Sequence, residues 1–390
     1  MSSNVAQVSI PFYRASVGEE EVAAVAEVIR SGWLTMGAKT LEFERQFAEF
    51  VGARHAVCVC SGTAALHLAL EACGLQPGDD VLLPTTTFTA TAEVVTYFRA
   101  RPILVDIDPT SLNIDCSDVT RRISSRTRVL IPVHMAGQPC DLDELRATAN
   151  EHSLKIVEDA AHALPSDYRG RRVGCQSDLS AFSFYATKTL TTGEGGMITT
   201  NDDQYAARMR LMRLHGISGD AWKRYGKNGS WFYEVMEAGF KYNPTDIQAA
   251  LGLVQLAKCE AMRDARCRIA QRYTEAFQKI SSLDAPVIKA DRTTSWHLYI
   301  LRLNLPLLRI KRDAFITELK ENGIGTSVHF IPLHLHPFYQ RVFGYRKGDF
   351  PAAESEFERC ISLPIYPSMS DGDVQNVIDI VSETATRARC

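Results

Sequence analysis

Between residues 16 and 30, Val17, Val22, Val25, Val28 and Ile29 recur on one side at helical spacing, and Glu19, Glu20 and Glu21 stand at the start, where the helix dipole favours acids. This pattern predicts an amphipathic helix over 16–30. Further along, the period shortens. Apolar runs at 56–59, 80–83, 101–106, 127–132, 155–158 and 180–184 have the length of strands, and helical segments separate them. Such alternation from about 40 to 215 predicts a mostly parallel sheet with helices on both faces. Residues 245–281 read as one long helix or two abutting ones. Near Pro286 the composition changes, and the pattern predicts strands at 296–305 and 324–330 with helices at 311–322 and 371–384. The chain thus divides into a large α/β domain at 1–255 and a smaller α+β domain at 256–390. The stretch 215–242 fits neither pattern. It carries Gly216, Gly219, Gly226, Gly229 and Gly239 with Trp222, Trp231, Phe232 and Tyr233, a long glycine-and-aromatic loop of the kind that serves a site or a subunit contact.

The candidate chemistry centres on Lys188, in Ser183-Phe-Tyr-Ala-Thr-Lys188-Thr-Leu-Thr-Thr-Gly-Glu-Gly-Gly196. Hydroxyls flank it at Ser183, Thr187, Thr189, Thr191 and Thr192, and no charged residue lies within five positions. A lysine that caps a strand end would look similar. A desolvated lysine, however, has a lowered pKa and becomes a nucleophilic amine, as Schiff-base chemistry with a pyridoxal aldehyde requires. Pyridoxal phosphate also needs an anion for its ring nitrogen, a flat surface for the ring and donors for its phosphate. Asp159 ends a buried-looking strand, where ligands meet open α/β sheets, although it could equally cap the turn that follows. Ser61-Gly62-Thr63 follows a short strand and opens the apolar helix 64–70, which makes an anion site by geometry. Phe88, in a threonine-rich turn, could stack on a ring or pack in the core.

These residues, with Ser31-Gly-Trp33-Leu-Thr35-Met-Gly37, Val157-Glu-Asp159-Ala-Ala-His162, Thr245-Asp-Ile-Gln-Ala-Ala250 and Gly323-Ile-Gly-Thr-Ser-Val-His329, resemble the DegT/DnrJ/StrS-type sugar aminotransferases over 10–367. The resemblance implies aminotransferase fold-type I: a large, mostly parallel-sheet domain that binds pyridoxal 5′-phosphate, and a smaller α+β C-terminal domain. It implies Lys188 as the Schiff-base lysine and Asp159 as the partner of the ring nitrogen. His162 would lie near the pyridoxal hydroxyl and Phe88 on the ring, with Gly62, Thr63 and Ser183 as the phosphate cradle. Thr35 and His329 take substrate positions. Many members carry a Gly-x-Asn-x-Arg run that enters the site from a second subunit. Here it reads Gly239-Phe-Lys241-Tyr-Asn243, so Lys241 would reach the cofactor and Asn243 the substrate of the partner chain. This form resembles the subgroup that makes UDP-4-amino-4-deoxy-L-arabinose. The implied reaction moves an amino group from L-glutamate to a nucleotide-linked 4-keto sugar, in a homodimer with shared active sites. A 3-keto sugar or a cyclitol is the alternative acceptor. Related dehydratases carry a histidine where Lys188 stands.

Composition narrows the partners. The 390 residues are 45% hydrophobic, enough for a large core. A net charge of −3 and the lack of a basic stripe argue against nucleic acid. No apolar run is long enough to span a membrane, and Met1–Pro11 lacks a basic, then apolar, leader pattern. Ten cysteines scatter without a Cys-x-x-Cys, which suits a reducing, cytoplasmic setting. His329, His334 and His336 invite a metal reading, but prolines interrupt them and no carboxylate or cysteine sits at ligand spacing, so no metal is expected.

Overall fold

The structure, a computed structural model, describes residues 9–218 and 232–390. Its strands in chain order are β1 (His55–Val59), β2 (Asp80–Pro84), β3 (Arg101–Val105), β4 (Thr127–Leu130), β5 (Lys155–Asp159), β6 (Asp167–Tyr168), β7 (Arg171–Arg172), β8 (Leu179–Ser183), β9 (Gly196–Thr200), β10 (Leu283–Asp284), β11 (Tyr299–Leu303) and β12 (Cys360–Leu363). Seven of them form one sheet in the order β1-β9-β8-β5-β4-β2-β3. β9 runs antiparallel to both β1 and β8, and the other pairings are parallel. Buried Val, Leu and Ile fill these strands on both faces, as expected for a sheet covered by helices on each side. A second sheet, β10-β11-β12, is antiparallel and packs on the helices Cys259–Phe277, Arg312–Glu321 and Asp371–Arg387 around Tyr273, Phe277, Tyr299, Phe315 and Val377.

Most of the expected strands are present: the ends of those in the large sheet differ by one or two residues in either direction, and the strand expected at 296–305 covers only Tyr299–Leu303. The helical stretch 245–281 is two abutting helices, Asp246–Ala257 and Cys259–Phe277, which meet at Lys258. The expected strand at 324–330 is a correction. Ile324 and Ser327 make only isolated bridges, to Ile10 and Ser362. Gly325 lies so close to the chain at Phe12 that a Cβ there would meet the Phe12 nitrogen at 2.6 Å, and the segment is drawn between two neighbours instead of lying along one. Ile10 also belongs to the second core, so the start of the described chain packs with the C-terminal sheet. The helix Glu19–Ser31 forms, but its apolar stripe is split: Val28 is buried and Val25 half-buried, while Val17, Val22 and Ile29 are exposed, and Glu21 is buried against Lys258 and Gln255. Of the loop 215–242, Gly219, Trp222, Gly226, Gly229 and Trp231 lie outside the described residues, while Phe232 and Tyr233 are exposed. No helix of the described residues is long and apolar enough to cross a membrane. All ten cysteines are free.

Candidate active site

In the parallel part of the sheet, β5 and β8 lie side by side with Asp159 opposite Ala181. β1 points the same way as β8, because both are antiparallel to β9. The segments leaving β1, β2, β5 and β8 therefore emerge along one edge of the sheet. There they enclose a cavity of about 600 Å³, closed from the other side by Phe12, His297, Ser327, His329 and Phe330. Open α/β sheets bind ligands at this edge because strand ends and helix N-termini converge there.

Eight of the residues singled out in the sequence line this cavity: Gly62, Thr63, Phe88, Asp159, His162, Ser183, Lys188 and His329. Lys188 follows β8 in a turn whose backbone closes from the Lys188 amide to the Tyr185 carbonyl at 2.9 Å. Burial lowers its amine to about 8, while Asp159 pulls weakly in the opposite direction. Desolvation causes the shift, and no neighbouring cation is needed. Thr189 and Thr191 are buried and donate to backbone carbonyls, Leu164 and Phe184 respectively, so these flanking hydroxyls hold the turn.

Asp159 is buried and doubly bonded. Its Oδ1 accepts from the Ala161 amide at 3.1 Å, and its Oδ2 accepts from Thr91 Oγ1 at 2.8 Å. Thr91 is in turn 2.8 Å from the Thr87 hydroxyl. Burial raises the carboxyl, and Thr91, the Ala161 amide and Lys188 draw it back toward the charged form. The cap expected after β5 is thus also present, since the same oxygen that serves the Ala161 amide lies at the strand end. Thr87 and Thr91 were not legible as site residues. Only their place after β2, in a threonine-rich run, hinted at them.

At the other end of the cavity, Ser61 caps the helix Gly62–Ala72 by accepting from the Ala64 amide at 3.0 Å. Gly62 passes so close to Ser183 that a Cβ would meet the Ser183 Cβ at 2.7 Å. Glycine here lets β8 and the helix N-terminus share one small concavity. Phe88 is 59% exposed, unusual for a phenylalanine, and its ring stands 6.1 Å from Phe330 across the cavity. The bland expectation of core packing for Phe88 is therefore not met. His162 is buried, and burial together with Lys188 pushes its imidazole well below the usual range. His329 holds its Nδ1 2.9 Å from Ser362 Oγ, and burial pushes it down to about 4.

Thr35, Lys241 and Asn243 do not line the cavity of their own chain. Thr35 bridges Thr245, and Lys241 is exposed with its ammonium on Asn243 Oδ1. The run nevertheless passes the cavity's rim, since the Tyr242 carbonyl accepts from the Cys60 amide at 2.8 Å. The histidines considered for a metal are dispersed in role. His334 is buried, 2.8 Å from Thr85 Oγ1 and 2.9 Å from Glu354 Oε1, and no group of three or more metal-binding side chains exists among the described residues.

The comparisons agree with this geometry. The model of the DegT/DnrJ/EryC1/StrS aminotransferase family matches residues 15–382. The protein MJ1066 of Methanocaldococcus jannaschii is 49% identical over 380 residues, covering 97% of this chain and 98% of its own. The spore coat polysaccharide biosynthesis protein SpsC of Bacillus subtilis is 48% identical over 375 residues, 96% of each chain. Among solved structures, the PLP form of Spr1654 from Streptococcus pneumoniae superposes with a TM-score of 0.91 at 33% identity, covering 98% of this chain and 100% of that one. With a family model spanning nearly its whole length and an architecture shared at that level, the chain belongs to the DegT/DnrJ/EryC1/StrS aminotransferase family.

Proposed function

We propose that this protein is a pyridoxal-phosphate-dependent aminotransferase that carries an amino group from L-glutamate to a nucleotide-linked 4-keto sugar. The observation that carries the reading is the placement of the desolvated Lys188 amine and the buried Asp159 carboxylate in one cavity at the strand ends. The residues present fit the cofactor. Gly62 leaves room where any side chain would strike Ser183, and Ser61 to Thr63 offer a helix N-terminus to a phosphate. Phe88 supplies an exposed aromatic face, and His162 a buried ring in the same cavity.

When bound, pyridoxal phosphate supplies an aldehyde for an amine and an electron sink for charge that develops at the neighbouring carbon. Burial lowers Lys188 Nζ to about 8, so a far larger share of it is the free, nucleophilic amine near neutral pH than for an exposed lysine. With the cofactor bound, the same nitrogen would take a proton from the substrate carbon and hand it on, acting as base and then as acid. Asp159 is fixed in position by Thr91 and the Ala161 amide, whose hydrogen bonds favour its charged form against burial, and it would be the carboxylate that holds the ring nitrogen. Lys188 and Asp159 are themselves buried, which strengthens the interaction between them.

The finer identity rests on the Lys241-Tyr-Asn243 run, which supports a UDP-linked 4-keto sugar of the aminoarabinose-forming kind. The likeness to SpsC, a polysaccharide biosynthesis protein, supports an amino sugar for a glycan or lipopolysaccharide. Thr35, Lys241 and Asn243 stand outside their own chain's cavity, which supports a homodimer in which Lys241 and Asn243 complete the partner's site. Ten free cysteines suit the cytoplasm. We also take 1–255 and 256–390 as the two domains that close on the substrate. The test has two stages. Glutamate should bleach the long-wavelength absorbance of the cofactor-loaded protein. A panel of UDP-, dTDP- and GDP-linked 4-keto sugars should then restore it, with the UDP sugars fastest and mass spectrometry placing the amine at C4. Failure to bleach would overturn the reaction. A preference for dTDP sugars, or amination at C3 or of a cyclitol, would overturn only the substrate.

A further inference from the structure

Residues 9–16 lie in no helix or named strand, yet they reach from the C-terminal part of the chain to the turn that carries Lys188. At the C-terminal side, the Ile10 amide donates to the Gly323 carbonyl at 3.0 Å, and the Ile10 carbonyl accepts from the Gly325 amide at 2.8 Å. Phe12, which lines the cavity, stacks on His329 with the ring centroids 5.5 Å apart. The next residue meets the opposite wall. The Tyr13 hydroxyl donates to the carbonyl of Ala186, just ahead of Lys188. The Ser16 carbonyl then accepts from Gln255 Nε2 at 2.8 Å, and Gln255 Oε1 accepts from the Thr191 amide at 3.4 Å, just beyond Lys188. The segment thus grips the lysine turn on both flanks.

Little else holds the lysine within that turn. Its backbone closes through the bond from the Lys188 amide to the Tyr185 carbonyl, and the Thr189 and Thr191 hydroxyls anchor the residues that follow. Among the described residues, the Tyr13 hydroxyl makes the one hydrogen bond that ties Ala186, Thr187 or Lys188 to another segment. Tyr13 is half-buried, and burial raises its phenol against the pull of Arg266, so the oxygen keeps the proton it donates. A lysine amine stands at the end of a flexible four-carbon stem, and to move a proton it has to come within about 3 Å of the atom it serves. The base of the stem must therefore be fixed, since a misplacement of about 1 Å can cost about a hundredfold in rate.

We infer that Tyr13 is a positioning residue for the reaction: by donating to the Ala186 carbonyl it fixes the turn that presents the Lys188 amine. This rests on Lys188 being the working amine, as given under Proposed function. Tyr13 does not line the cavity, so it acts through the backbone of the turn and not on a substrate.

Tyr13→Phe keeps the ring and removes only the hydroxyl, and two measurements test it. In the cofactor-free protein, hydrogen exchange read by mass spectrometry should speed up about fivefold in the peptide spanning 185–192, the loss of one hydrogen bond between neutral partners, and stay unchanged at β3. In the cofactor-loaded protein, stopped-flow bleaching by glutamate should show a limiting rate about tenfold lower, with half-saturating glutamate within about twofold of wild type. Glutamate deuterated at C2 should slow the variant at least as strongly as it slows wild type, because the proton moved by Lys188 is then the step impaired. Faster exchange with an unchanged limiting rate would make the hydroxyl a structural tie only. Unchanged exchange, a weaker deuterium effect, a change confined to half-saturation, or loss of the fold by circular dichroism would each overturn the assignment as well. If wild type itself does not bleach with glutamate, the reading of Lys188 falls, and this inference with it; if wild type bleaches and the variant matches it, only the role of Tyr13 falls.

Discussion

Two sets of buried histidines show the difference between a packed wall and a working cavity. His134 and His334 are fully engaged. His134 Nε2 is 2.7 Å from Glu158 Oε2 and its Nδ1 accepts from the Cys140 amide at 3.0 Å, while His334 bonds Thr85 and Glu354. His162 and His297 are as well buried, but neither has a carboxylate partner and each leaves Nδ1 orphaned. Buried polar groups are normally satisfied, so a cluster that is not satisfied marks a place organised around something other than its own stability. The same contrast holds for the acids. Glu158 and Asp159 are sequence neighbours on opposite faces of β5. Burial pushes Glu158 up, but hydrogen bonds led by His134 outweigh it and hold the carboxyl below its usual range, whereas Asp159 stays raised by burial and is left facing Lys188.

Lys188→Ala should sharpen the contrast most. It removes the one amine among the described residues that line the cavity, and turnover should fall by more than about a thousandfold in a steady-state assay. Residual activity above a few per cent of wild type would place the chemistry elsewhere. Asp159→Asn should keep the fold and slow bleaching by glutamate by about a hundredfold or more. If glutamate kinetics stay near normal, Asp159 is only a cap. The wall should respond in stability instead. His134→Ala strands Glu158 without its partner and should cost about 3–5 kcal/mol in a denaturant melt, with a smaller effect on turnover per folded molecule. The reverse balance would erase the distinction drawn between the two regions.

Smaller effects test the edges of the comparison. A Lys188→Ala chain mixed with a Lys241→Ala chain should regain up to about a quarter of wild-type activity, because random pairing makes half the dimers hybrid and each hybrid holds one intact site. No recovery after confirmed subunit exchange would place Lys241 outside the partner's site. The smallest effect is on stability against pH in the cofactor-free protein. Lys188 is depressed from 10.5 to about 8 on folding, so between these values the unfolded chain binds more protons than the folded one. The cost of burying its charge is full below about 8 and is relieved as pH rises toward 10.5. Wild type should therefore gain stability relative to Lys188→Met over that window, and parallel curves would show that the lysine is not desolvated.

Much of this site was legible before folding. Lys188, Asp159 and the Ser61–Thr63 turn each carry a local signature, because strand end, small-residue turn and helix start are short-range features. The resemblance then assigned roles to Gly62, Phe88, His162, Ser183 and His329, all of which meet in one cavity. The misses have a common cause. Residues 324–330 alternate like a strand, but a ladder needs a neighbour along its whole length, and this segment has only isolated bridges. β9, at Gly196–Thr200, was hidden in the run after a glycine-rich turn, though it sits between β1 and β8 and makes the sheet mixed. The helix Glu19–Ser31 has the expected period, but only part of its stripe faces in: Val28 is buried beside the Glu21–Lys258 ion pair, and Val22 and Ile29 are exposed.

The sequence by itself determined the alternation of strands and helices, the two-part division of the chain and the isolated lysine, since these depend on neighbours within a few positions. Only the tertiary structure decided that Thr91 supports Asp159, that Gly62 must clear Ser183, and that His297 meets His162 through Ser295. Those pairs are separated by 68, 121 and 135 positions. Burial decided the rest: an amine at about 8 and imidazoles without charge are properties of a desolvated cavity, which exists only once distant segments have closed around it.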